Sequence, residues 1–140
     1  MNKLITIVFL LISSAAFYVG CWNRYKPAPY VVLSEKISDE VSVKMVEKYK
    51  QYQLSVIGTS VGMVGGVNLI GLRFRVLGPL AKEELRQIFV DSVEIFLDAM
   101  NGNEEIRPFL RSYPFGVKEI DNIIFVVDEN GGRLFYPDIS

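Results

Sequence analysis

No histidine occurs anywhere in the chain, which removes the commonest general base and the commonest metal ligand together. There is one cysteine, Cys21, so no intrachain disulfide forms. Nor is there an excess of positive charge: 15 basic residues stand against 16 acidic ones, a formal net charge of −1. Setting aside residues 1–20, whose single charge is Lys3, leaves the balance slightly more acidic. A chain of this balance has no electrostatic footprint for DNA, RNA or anionic lipid, and nucleic acid is not expected as a partner. No residue cluster calls for a cofactor or a metal.

What the chain does have begins at its N-terminus. Met1-Asn2-Lys3 is short and basic, Leu4 to Val19 is an uncharged run of sixteen residues, and Gly20-Cys21 follows. A basic start, an apolar stretch and a small residue before the cut describe a secretory signal segment. A spanning helix usually needs about 20 apolar residues, so the run is slightly short for one. The sequence Tyr18-Val19-Gly20-Cys21 resembles the lipobox of bacterial lipoproteins. Val19 and Gly20 fit the pattern, and Tyr18 stands where it prefers leucine. The resemblance implies cleavage between Gly20 and Cys21 and attachment of membrane lipid to the Cys21 sulfur. Trp22 rather than aspartate follows the cysteine. In a cell with two membranes that resembles the sorting pattern for the periplasmic side of the outer membrane. An uncleaved anchor and simple secretion are the alternative readings. All three place the rest of the chain outside the cytoplasm.

The expected organisation is a signal segment over 1–20, a lipidated cysteine and tether over 21–37, and a single domain over 38–140. Trp22 to Pro29 carries two prolines and no periodic pattern, as an extended tether does. A first helix is expected from Asp39 to Gln51, capped by Ser38. Tyr52, Leu54 and Val56 then alternate with polar residues, and Ile70, Leu72, Phe74 and Val76 alternate with Gly71, Arg73 and Arg75. Two such runs joined by a glycine-bearing segment predict a β-hairpin. Leu80 to Met100 carries a wide apolar stripe that includes Ile88, Phe89, Phe96 and Met100 and is the strongest helix. Strands are expected again at Val117–Val127 and Arg133–Tyr136, around a turn at Asn130-Gly131. The predicted fold is therefore α+β: an antiparallel four-stranded sheet of two hairpins, with two helices on one face.

Three features invite a chemical reading. Gly58 to Gly66 is rich in glycine, but it lacks the Gly-Lys-Ser/Thr ending of a phosphate loop and leads into a strand, so a hairpin connection explains it. The acid pairs Glu83/Glu84, Glu104/Glu105 and Asp128/Glu129 fall at helix starts and turns, where carboxylates act as caps. The third feature, Ile106-Arg-Pro-Phe-Leu-Arg-Ser-Tyr-Pro-Phe115, sets large apolar side chains in a proline-stiffened frame with two arginines. It reads as a loop pinned to the core, and Arg107, Phe109, Arg111 and Tyr113 are its candidate partner-binding residues, since Arg and Tyr are enriched in binding hot spots. This motif resembles one in small, uncharacterised lipoprotein-like bacterial proteins, over roughly residues 45–136, and the resemblance implies no activity. The functional expectation is a membrane-anchored, extracytoplasmic binding or scaffolding module with an envelope protein as partner. An envelope enzyme and a small-ligand carrier are the alternatives.

Overall fold

Helix α1 spans Pro29–Lys48 in the computed structural model, which describes residues 26–134. Pro29 sits in its first turn, where the missing N–H is no loss and the ring's fixed φ already suits a helix. The helix thus takes up residues 29–37, which the sequence pattern assigned to the tether, and starts ten residues before Asp39. Its buried line runs through Ser34, Ile37, Ser38, Val41 and Met45. Two serines in that line disguised its period. Ser34 donates to the Tyr30 carbonyl at 2.7 Å, a local bond that lets a hydroxyl lie in an apolar interface.

Strands β1 (Ser55–Gly62) and β2 (Leu69–Leu77) pair antiparallel as a hairpin, but β1 lies later than the expected Tyr52–Val56 run: Tyr52 closes a 3₁₀ turn, and Gly58–Gly62, expected in the connection, belong to the strand. The register shifts between Val56 and Gly58. That bulge turns Ile57 out to solvent, and Val61, opposite Ile70, packs against the core cluster. Along β2 the inward residues Ile70, Leu72, Phe74 and Val76 are fully buried, as the period-2 pattern requires.

Helix α2 spans Lys82–Gly102 and crosses back over the sheet. Its residues Ile88, Phe96 and Met100 join Ile37, Val41 and Met45 of α1 and the inward side of β2 in one hydrophobic cluster. Beyond it comes β3, Ile123–Val127, which pairs with β2 in parallel, Arg73 opposite Ile123 through Leu77 opposite Val127.

The sheet is therefore three-stranded and mixed, in the order β1-β2-β3, and not the four-stranded antiparallel sheet of two hairpins. The α+β class and the two helices stand. The physical reason is the length of the β2-to-β3 connection. A 21-residue helix carries the chain back along the whole sheet, so the next strand starts at the same end as β2 and must run parallel to it. The second hairpin does begin. Asp128 Oδ1 accepts from the amides of Asn130 and Gly132 at 2.9 and 2.8 Å, and Gly131 takes a positive φ of 80°. Among the described residues this return makes a single bridge, Val127 to Arg133.

Before β3 forms, the chain already follows the edge of β2. Val67 bridges Leu110, and Ile70 bridges Ile120, both in parallel. At Asp121 the main chain swings over Gly71, so that a Cβ built there would lie 1.9 Å from the Asp121 carbonyl oxygen. The side chain of Asn122 then stands in for a strand: its Oδ1 accepts from Leu72 N at 2.8 Å, and its Nδ2 donates to Ser92 Oγ of α2 at 3.0 Å. Gly71→Ala is accordingly expected to destabilise the domain by about 1–3 kcal/mol, because a backbone segment rather than a flexible side chain must move. Chemical denaturation with an unchanged slope is the check.

Candidate functional site

The segment from Asn103 to Gly116 is held at three places. Asn103 Oδ1 accepts from the amides of Glu105 and Ile106 at 3.0 and 3.1 Å, and the Ile106 side chain is fully buried. A single 3₁₀ turn, Arg107–Phe109, follows around Pro108. Next, Val67 N donates to the Phe109 carbonyl at 2.7 Å and Arg111 N donates to the Val67 carbonyl at 3.0 Å. Gly66, at φ 114°, permits that approach, since a Cβ there would meet the Phe109 carbonyl at 2.8 Å. Finally the Asn101 side chain pairs with both main-chain groups of Phe115: its Oδ1 accepts at 2.7 Å and its Nδ2 donates at 3.0 Å. Phe115 itself is buried.

This pinning leaves a defined set of side chains outside. Arg107, Pro108, Arg111, Ser112, Tyr113 and Pro114 are all exposed. The Arg107 guanidinium lies over the Tyr113 ring, 4.7 Å from its centroid, a cation–π contact worth about 0.5–1 kcal/mol at an exposed site. Phe109 is half-buried, and its ring lies 5.9 Å from that of Tyr30 at the start of α1. Of the four candidate residues, then, three are presented to solvent and Phe109 attaches the loop to α1. Since the 3₁₀ turn gives way to extended backbone at Leu110, Arg107 meets Tyr113 rather than continuing one helical face to Arg111. Met63 to Gly66, the remainder of the β1–β2 connection, lies beside the loop, and Val64 at its tip is 76% exposed. Gly20 and Cys21 lie outside the described residues. Among the described residues no helix is long and apolar enough to cross a membrane.

A second cluster escaped the sequence reading. Asp91, which the helical pattern put on the polar side of α2, is 6% exposed. Tyr49 and Lys48, from the end of α1, both meet its Oδ2, and Gln87 Nε2 donates to its Oδ1 at 2.7 Å. Burial pushes this carboxyl up, but the donors Lys48, Tyr49 and Gln87, with the charge of Lys48, outweigh it and hold Asp91 below its ordinary value. Burial, then the bond to Asp91 and that carboxylate's charge, raises the Tyr49 hydroxyl above the ordinary tyrosine range. Nearby, Tyr52 donates to Glu84 at 2.8 Å. The Ala81 amide and then this hydroxyl hold the Glu84 carboxyl below its usual range. Only the docking of the end of α1 against α2 makes Asp91 a buried residue, and no spacing within either helix announces it.

Among the described residues no three His, Cys, Asp or Glu side chains lie together as a metal site would need. Of the expected acid pairs, two members act locally, Glu84 as the cap of α2 and Asp128 as the cap of its turn. Comparison with protein families, with curated proteins and with solved structures finds no match.

Proposed function

We propose that this chain is a membrane-anchored, extracytoplasmic binding module of a bacterial cell envelope, held through lipid on Cys21 and working through the Arg107–Tyr113 loop. The observation that supports the loop is its contrast: a backbone tied to the core at Ile106, Val67 and Phe115 carries Arg107, Arg111 and Tyr113 exposed to solvent. A side chain that a fold holds rigid and leaves exposed is organised for contact, because less entropy is lost when it binds. The anchor rests on the lipobox-like Tyr18-Val19-Gly20-Cys21. Two or more acyl chains hold a protein firmly where one holds it weakly.

Asp91, the buried carboxylate of the helix pair, has both oxygens engaged by donors. That makes it a strut between α1 and α2 rather than a base waiting for a proton, and it favours the binding reading over the enzymatic one. Cys21→Ser tests the anchor. The variant is expected to lose palmitate labelling and to keep its signal segment uncleaved, whereas labelling equal to wild type overturns the lipoprotein reading.

A further inference from the structure

We propose that the end of the domain carrying Val64 and the Arg107–Tyr113 loop rests on the surface of the membrane in which the chain is anchored. This inference rests on the anchoring reading above and names the ligand of the same loop. It starts from where the anchored polypeptide enters the domain. Helix α1 begins at Pro29, and the Tyr30 ring lies against Phe109 of the loop. The chain from Cys21 therefore joins the fold beside the exposed arginines. Pro29 lies eight residue steps beyond Cys21, and at about 3.3–3.6 Å each these reach roughly 26–29 Å at full stretch. The 20 residues of α1 are themselves about 30 Å long. Turning the far end of the domain, the Asp128–Gly132 turn, toward the bilayer would need the tether drawn nearly straight along the domain's side. The loop end faces the bilayer without that cost.

The side chains at this end suit a lipid headgroup layer. Val64 is more exposed than the other large exposed hydrophobic residues among those described, and it sits at an open tip, where a Cβ on the neighbouring Gly65 would meet nothing within 4 Å. Tyr113 is 54% exposed, and tyrosine is favoured at the membrane interface. Arg107 and Arg111 present planar guanidiniums, which bind phosphate oxygens through paired hydrogen bonds, and the exposed Lys26 lies just before α1. Glu104 and Glu105 are exposed on the same stretch, so the field at this end is mild and the contact is weak by itself. Weak is sufficient, because a short tether holds the surface at an effective concentration of the order of mM.

The test uses the full chain, acylated and reconstituted into vesicles of phosphatidylcholine with a minority of phosphatidylglycerol. A small fluorescent non-natural residue replaces either Val64 or Asn130, and nitroxide-labelled lipid acts as the quencher. Strong quenching at position 64 and little at position 130 is the expected result. Arg107→Ala with Arg111→Ala should lower the docked-to-undocked ratio by about tenfold and leave the melting temperature unchanged. Equal, weak quenching at both positions while the chain still floats with the vesicles overturns the docking and spares the anchor. The same pattern would be seen if a protein were the loop's true occupant. A chain that fails to float overturns the anchor reading and the docking with it.

Discussion

Phe96→Ala is expected to lower the unfolding free energy by about 3–5 kcal/mol, a large share of the stability of a domain this size. Phe96 is fully buried in the cluster shared by both helices and β2, so truncation removes apolar area and leaves a cavity that a close-packed interior fills only in part. Phe89→Ala is the built-in contrast. Two turns earlier on the same apolar stripe, Phe89 was expected to be buried equally, yet it is 44% exposed. Its truncation should change stability by less than about 1 kcal/mol. The reason is the roll of α2. Its central buried line runs Ile88, Ser92, Phe96 and Met100, and α1 packs on the Asp91 side of that line. Phe89 flanks the other side, where Val93 one turn later is covered but Phe89 is left half-exposed. Urea denaturation of the two variants, with equal slopes, measures both effects; equal losses would mean that α2 sits in the other roll.

Asp91→Ala is expected to cost about 2–3 kcal/mol, because the Tyr49 hydroxyl is left buried without its acceptor. Lys48 contributes less to that figure, since its half-exposed side chain swings into water. A cycle with Tyr49→Phe isolates the pair, and a coupling of about 1 kcal/mol or more is expected for groups in direct contact. The pH dependence follows from the directions of the two shifts. Asp91 is held below its ordinary value in the fold. Its contribution is complete above the unfolded carboxylate value of about 3.9 and is lost as pH falls through the lower folded value. Tyr49 is raised, so its contribution is complete below the unfolded tyrosine value of about 10 and is lost as pH rises above it. Asp91→Asn should therefore differ most from wild type between these limits, and the difference should shrink in acid. Tyr49→Phe should flatten the alkaline limb. A difference for Asp91→Asn that is constant down through the acid limb would show that the charge of Asp91 does not support the fold.

Local pattern was enough for the pieces whose partners are close in the chain. The alternation from Ile70 to Val76 depends only on one face being wet and the other dry, and it identified the central strand and its four buried residues. The two joined runs indicated an antiparallel hairpin, since a short connection leaves that as the simplest pairing, but the first strand lies at Ser55–Gly62 rather than Tyr52–Val56. The 3.6-residue stripe of α2 identified that helix, and the proline frame of Ile106–Phe115 identified a pinned loop. Asn130-Gly131 marked a turn that the structure contains. For residues 1–21 the sequence is the whole source, and the anchoring proposal stands on it.

Tertiary structure decided what depends on distant partners. The direction of β3 follows from where α2 delivers the chain, which strand alternation does not encode, because parallel and antiparallel strands share the same period. The start of α1 at Pro29 is hidden by Ser34 and Ser38, polar residues that lie in its buried line, Ser34 with its hydroxyl on the Tyr30 carbonyl. Gly71 looked like an ordinary outward position until Asp121 crossed it. Asp91 is polar by composition and buried by docking. The proximity of Tyr30 to Phe109 makes the tether and the arginine loop neighbours although about 80 residues separate them in the chain. Each of these is a contact between elements rather than a property of one. Burial, direction and neighbourhood arise from how the amphipathic surfaces meet, and the sequence pattern specifies those surfaces without specifying their rotation or their order.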